Sequence, residues 1–327
     1  MVDFALDRIM AVPTHEEPKP IPWPSGLEPT PVPDSAAPDD PLPTAEVLVV
    51  TWTYAEGMAL ADVMTPGVPS SSWKQYAHNW AQYESQLTGR SPARDAGCMG
   101  YQAQTQIGST KVTLVKSELH LTTDAVSAPI VQLWEQMVAE VRPKLVITTG
   151  TAGGIGAATQ LGDVFAVPNA KFNCTKAFAS KPWAQQRFTG NGISTGPQAG
   201  LFSSLVTPNA GQLEPIANRG PLLTFGGDVE TVDYFAFANT EDTFGVVRND
   251  PLAHTEEMDD ATLPLALSQV ADPPLWGSIR NASDPQVPSS VGDIEAQKQW
   301  AQDIYNKYGY WTTIGSAIAC WVVIAGL

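Results

Sequence analysis

The chain has 327 residues, enough for one large α/β domain or two small ones, with ample apolar content for a core. Its formal charge of -16, from 18 Lys and Arg against 34 Asp and Glu, excludes the concentrated basic surface that nucleic-acid binding requires. Three cysteines, Cys98, Cys174 and Cys320, and four histidines, His15, His78, His120 and His254, show no metal-ligand spacing, so no metal is expected and a reduced, cytoplasmic setting fits best.

The N-terminus carries acidic residues where a secretory signal would be basic, with no long apolar stretch behind it, which argues against secretion by that route. Residues 1–44 are rich in proline and poor in large aliphatic side chains, and are expected to form an extended or disordered arm, solvated rather than wrapped on a neighbouring subunit. The folded domain is placed at 45–327, with insertions near 66–100 and 168–221. It opens on an apolar strand over 45–52, followed by a helix that carries Glu56 in its first turn. A carboxylate there is also what helix electrostatics favour, so Glu56 alone is weak evidence of a site.

Residues 70–94 read as an insertion with an amphipathic helix, from Trp73, Tyr76, Ala77, Trp80 and Tyr83 at three- and four-residue intervals. A strand is predicted over 108–117 and a helix from Ser127, with Ile130, Val131, Trp134, Met137, Val138 and Val141 on its apolar face. This helix returns the chain to a short strand, 145–147, that stops at Gly150-Thr151-Ala152-Gly153-Gly154, a run of small residues that lets backbone approach a ligand closely. No Lys-Ser/Thr ending and no following helix mark it as a phosphate loop, since Leu161-Gly162-Asp163 leads into another strand, 164–167.

Residues 168–221 read as irregular and are assigned to a lid, a wall of the ligand site, or an oligomer contact. Residues 222–228 give strand into turn, 246–248 a short strand, and 255–261 the start of a helix that Pro264 bends or delays. A last strand, 276–284, ends at Ser283-Asp284, and two helices, 294–307 and 310–327, close the chain. The second is apolar but marginal for a membrane span and lacks a basic anchor, so it is expected to pack on the sheet.

Four short segments in this order, Tyr54-Ala55-Glu56, the Gly-Thr-Ala-Gly-Gly run, Glu257-Met258-Asp259 and Arg280-Asn281-Ala282-Ser283-Asp284, resemble the nucleoside phosphorylase/nucleosidase superfamily. The resemblance is closest to the methylthioadenosine/S-adenosylhomocysteine nucleosidases. It implies a single three-layer α/β/α domain with a central mixed sheet and cleavage of a purine N-glycosidic bond without a cofactor. In that reading Asp284, held by Ser283, protonates the leaving base, and Glu56 activates water and stabilises the cationic sugar. Asp259 binds ribose hydroxyls, Met258 packs on the sugar, Thr151, Ala152 and Gly153 line base and sugar, and Val229, Glu230 and Thr231 face the purine plane.

Asp259 stands one methylene short of the family's glutamate, which puts its reach to both hydroxyls in question. The residues before the glycine run, Thr148 and Thr149, supply no cation for phosphate, which favours water as nucleophile. Arg248 or Arg280 reaching in from elsewhere would leave phosphorolysis open, and a non-catalytic nucleoside binder is the answer from another class. Adenine nucleosides, including methylthioadenosine-like ones, come first among the substrates the resemblance implies, with a homo-oligomeric, non-membrane protein as their host.

Overall fold

The computed structural model describes residues 16–33, 35–193 and 196–327. The N-terminal part of the Pro-rich stretch, 1–15, lies outside them. From Glu16 onward the stretch is extended and laid on its own chain: Lys19 N–H donates to Asn209, Trp23 packs against Trp321 with ring centroids 4.9 Å apart, and β1 (Thr30–Val32) pairs antiparallel with a later strand. An aromatic residue among prolines, Trp23, is the signal that this segment has something to bury.

β2 (Val47–Thr51) is buried throughout, and α1 (Tyr54–Met64) follows at once. The helix starts with a capping box: Thr53 is the cap and Glu56, the third helical residue, reaches back to the Thr53 N–H. The amphipathic helix expected within 70–94, with Trp73 to Tyr83 on one stripe, does not form as a single helix. The segment instead contains a helical turn at Ser70–Ser72, β3 (Lys74–Tyr76), α2 (Trp80–Glu84) and α3 (Pro92–Ala96), because Asn79 adopts a left-handed conformation at φ 64° and Pro92 starts a new helix. Trp73, Tyr76 and Tyr83 are buried all the same, so the aromatic spacing marked core contacts rather than a single helix.

β4 (Gly100–Ile107) and β5 (Thr110–Ser117) form a hairpin. β4 is invisible to hydrophobic alternation because its period-2 positions are largely glutamines. α4 (Pro129–Val141) delivers the chain to β6 (Leu145–Gly154). The glycine run expected as a loop is strand: β6 continues through Gly154, since its small residues admit neighbours on both sides. β7 (Val164–Val167) follows the Leu161-Gly162-Asp163 turn, which is stapled to the last strand by Gly162 N–H to Ala282 O and Ala282 N–H to Asp163 O, both 2.8 Å.

The 168–221 region is more regular than its composition suggests, with β8 (Asn169–Asn173), β9 (Arg187–Thr189) and α5 (Phe202–Ala210). β10 (Leu223–Phe225) and β11 (Asp228–Val232) come next. The strand expected at 246–248 is a helical turn, α6 (Val246–Asn249), because Gly245 enters at φ 74° and the Asp242 carboxylate caps the Val247 and Arg248 N–H groups at 3.0 Å each. The helix expected from 255 is preceded by β12 (Ala253–Glu257): strand pairing on both sides holds it, and α7 (Thr262–Leu267) begins only after Glu257 has capped the turn. β13 (Leu275–Asp284) and a single 31-residue helix, α8 (Ile294–Ile324), complete the chain. The predicted break near 308–310 is absent, since Gly309 continues the helix against Tyr305.

These strands make one mixed sheet in the order β1-β4-β5-β2-β6-β12-β11-β8-β9, with β13 paired to β6 and β7, and β10 to β7. One face packs on α4 and α7, the other on α1, α5 and α8, which gives three layers. No helix among the described residues is long and apolar enough to cross a membrane. β6 is the pivot. Its first half lies between β2 and β13, both parallel to it, and its end, Gly153 and Gly154, pairs antiparallel with β12. The sheet therefore divides at Thr151, and the ends of β6, β12 and β13 open around a cavity.

Candidate active site

The cavity has a volume of about 240 Å³, on the scale of a small-molecule site. Its lining brings together Glu56, Thr151, Ala152, Gly153, Met258, Asp259, Ser283 and Asp284, segments separated by more than 200 residues of chain. Val229, Glu230 and Thr231 are not on its surface. They lie buried within β11, where Thr231 donates to Glu257 and accepts from the Ala261 N–H. Period-2 alternation and the end of the strand place Val232, and beyond it Phe235 and Ala236, on the cavity instead. The 168–221 region contributes no described residue to the lining. That wall is built by 232–236 and by Ala301, Gln302 and Tyr305 of α8.

Glu56 is buried and its carboxylate is saturated. Oε2 accepts from Thr51 Oγ1 (2.8 Å), Trp52 N and Thr53 N (2.9 Å each), and Oε1 from Thr151 N (2.7 Å) and Thr151 Oγ1 (2.5 Å). Burial works to raise its pKa, but the Arg280 charge and the Thr151 and Thr53 donors outweigh it and hold the group below the usual carboxylate range. It is held as a carboxylate near neutral pH. Gly150, at φ 140°, makes room for it: a Cβ there would sit 2.5 Å from the Glu56 carboxyl carbon. Gly150→Ala is therefore expected to displace Glu56 and to cost about 1–3 kcal/mol in stability, read from a urea melt. An unchanged midpoint would mean that the strand relaxes around the methyl.

Asp284 stands across the cavity at the end of β13. Ser283 Oγ donates to its Oδ1 (2.9 Å) and also faces Ala152 O at 3.2 Å. Burial pushes its pKa up to about 6, against a smaller opposing effect of the Ser283 hydroxyl. One cavity thus holds a carboxylate fixed in its charged form and a carboxyl whose pKa is raised to about 6, two environments pushed apart as in an acid/base pair.

Arg280 joins the two halves of the site, a role that its place in the motif did not reveal. Its guanidinium is 3% exposed and meets Asp260 through Nε (2.9 Å) and Nη2, Glu257 through Nη2 (3.2 Å), Thr151 O through Nη1 (3.1 Å), and the Trp52 ring at 4.9 Å. Glu257 in turn caps Asp259 N (2.6 Å) and Asp260 N, fixing the turn after β12. Asp259 reaches the cavity but is engaged on its far side, accepting from Leu121 N (2.7 Å) and facing His120 Nδ1 at 3.3 Å. Burial opposes a charge on His120, yet Asp259 and Asp124 push its pKa up to about 9, so it lines the cavity as an imidazolium. His120, Glu256 and Trp52 are further lining residues that no motif announced. Among the described residues no cluster of His, Cys, Asp and Glu is arranged to hold a metal ion, and the three cysteines are buried and unpaired.

Solved structures share this architecture. A 5′-methylthioadenosine/S-adenosylhomocysteine nucleosidase from Neisseria meningitidis, in complex with methylthio-immucillin-A, superposes with a TM-score of 0.52 over 86% of this chain and 100% of its own, at 15% identity. An S-adenosylhomocysteine nucleosidase from Streptococcus pyogenes gives 0.53 over 87% and 98%, at 13% identity. The fold is that of the nucleosidases. A Helicobacter pylori member, bound to butyl-thio-DADMe-Immucillin-A, gives 0.52 over 87% and 99% at 12% identity. No protein-family model matches the chain, and no curated protein matches it in sequence. Within the nucleosidase fold, the cavity lies where β6, β12 and β13 diverge, the crevice outside strand ends where open α/β sheets bind ligands.

Proposed function

We propose that this protein hydrolyses the N-glycosidic bond of purine nucleosides, with Asp284 as general acid and Glu56 as the anion facing the sugar. The observation that carries the reading is the opposite displacement of two carboxyls in one cavity: Glu56 held ionised by five hydrogen bonds and Arg280, Asp284 moved by burial up to about 6, where it can give and regain a proton. A structure that shares this fold, the Neisseria meningitidis nucleosidase, is in complex with methylthio-immucillin-A, which supports the same substrate class.

Asp284 passes its proton to the five-membered-ring nitrogen of the base as the bond to the anomeric carbon breaks. Water adds to that carbon and gives up its proton, and Asp284 regains one from solvent. Five donors make Glu56 a weak base, so its main work is to stabilise the oxocarbenium-like sugar, and it accepts the water's proton only as that charge collapses and the Thr151 hydroxyl turns away to free a lone pair. Met258 and Asp259 border the sugar. Asp259, tied to His120 and Leu121, has fewer free lone pairs for hydroxyls than the resemblance implies.

Phosphate finds little support here. Arg280 is engaged by Asp260 and Glu257, the His120 imidazolium is paired with Asp259 at 3.3 Å, and Arg248 is a surface residue paired loosely with Asp242 at 4.0 Å. The reading includes a cytoplasmic homo-oligomer, whose subunit count light scattering would give.

The test is free-base release from adenosine, methylthioadenosine, S-adenosylhomocysteine, inosine and guanosine, each with and without phosphate. Release that ignores phosphate is the expected result, and strict dependence on it would replace hydrolysis by phosphorolysis. The pH profile follows from Asp284. In the free enzyme the acid is protonated below about 6, so kcat/KM is expected to be level on the acid side and to fall about tenfold per pH unit above it. A limb of opposite slope near that pH would remove Asp284 as the acid.

A further inference from the structure

Gly153 lies between two carboxyls. In the sheet it pairs with Asp284 of β13 on one side and with Glu256 of β12 on the other. With no side chain of its own, it leaves a space into which both lean: the point where its Cβ would stand is 3.5 Å from Asp284 Oδ2 and collides with Glu256 Oε1. Both acids line the cavity.

Glu256 is 3% exposed. Ala238 N–H donates to its Oε1 (2.7 Å), and Oε2 is enclosed without a partner. Arg280, the guanidinium of this cavity, is engaged by Asp260 and Glu257. A carboxylate buried without a cation keeps its proton, and burial together with the adjacent Asp284 moves its pKa well above the ordinary value. The Ala238 donor makes Oε1 an acceptor, so the proton resides on Oε2. In the acid form of Asp284, Ser283 donates to Oδ1 and leaves Oδ2 to carry the proton. The floor of the cavity therefore offers a donor, Asp284 Oδ2–H, beside an acceptor, Glu256 Oε1.

A 6-aminopurine presents the complement, a ring-nitrogen acceptor next to an exocyclic amino donor, whereas a 6-oxopurine presents two acceptors. We propose that Glu256 is a specificity-determining residue whose Oε1 accepts a hydrogen bond from the exocyclic amino group of a 6-aminopurine, beside the ring nitrogen that Asp284 protonates. The proposal rests on the nucleoside-hydrolase reading for the placement of the base.

Its test is the ratio of kcat/KM for adenosine to that for inosine in the wild type, Glu256→Leu and Glu256→Gln. The wild type is expected to favour adenosine by at least about tenfold, and Glu256→Leu to lose that preference through adenosine alone. Glu256→Gln, which keeps an acceptor oxygen for Ala238, retains most of it. A merely structural role would lower both substrates together, and that result, or a wild type that prefers inosine, overturns the proposal. If Glu256→Leu does not fold, the wild-type ratio and Glu256→Gln still decide. If the wild type releases no base from any nucleoside, the hydrolase reading fails on its own. The ratio is then taken from the Kd of adenine and hypoxanthine by calorimetry, where Glu256→Leu must weaken adenine alone and an equal effect on both sinks the assignment.

Discussion

Asp284→Asn is expected to lower kcat about 10³-fold with the fold intact, the range that loss of a positioned general acid commands. The amide is nearly isosteric, and it keeps the oxygen that accepts from Ser283 Oγ at 2.9 Å. It has no proton acidic enough for the leaving base. KM should change little, because an amide still donates a hydrogen bond to the ring nitrogen, so the loss belongs to the transition state. Steady-state rates on the best nucleoside, beside a urea melt of the same preparation, separate chemistry from folding. An unchanged rate would move the acid elsewhere, with Glu256, a buried carboxyl of the cavity whose pKa is raised well above the ordinary value, as the next residue to replace.

Much of this site was legible in the sequence because its parts are short and sit at strand ends. Glu56 follows the first buried strand and Ser283-Asp284 closes the last, and each belongs to a short motif that can be read without any long-range pattern. The glycines were legible as places of close approach but not as strand: Gly150 and Gly153 are small because carboxyls from Glu56, Glu256 and Asp284 occupy the space beside them, a fact held in contacts distant along the chain. The β11 assignment missed by one residue. The expected stretch, 229–231, is in-sheet, and the strand meets the cavity only at Val232, where pairing with β12 ends.

Other errors have equally local causes. Residues 255–257 have no β-branched or aromatic run to mark a strand beyond Thr255, and only two ready partners, β6 and β11, hold them extended. His120 and Arg280 are separated by 160 positions, and nothing in either neighbourhood says that they meet the same cavity. The Pro-rich stretch has few aliphatic residues, yet Trp23 against Trp321 and pairing of Thr30–Val32 with β4 fix it, because the rest of the molecule supplies the apolar surface.

Removal of the central cation is expected to have the largest effect on stability. Arg280→Met leaves Asp260 and Glu257, both nearly inaccessible, facing each other without a counter-charge, and strips the donor from Thr151 O. Losing one partner of such a buried pair costs about 3–5 kcal/mol, because the remaining charge is uncompensated. Lys is no substitute: it cannot reproduce the fork that meets Asp260 with two nitrogens or lie flat beside Trp52. The same change should reach the chemistry. With the Arg280 charge gone, the main force holding Glu56 ionised is lost, and the balance shifts toward the burial that raises its pKa. A cycle with Asp260→Asn separates the two effects. The double variant should recover part of the stability, as the orphaned carboxylate is neutralised, but none of the activity, since Glu56 still lacks its cation. A single Arg280→Met that melts within about 1 kcal/mol of wild type would show that these acids take up protons instead, and that the guanidinium is there for the substrate rather than for the fold.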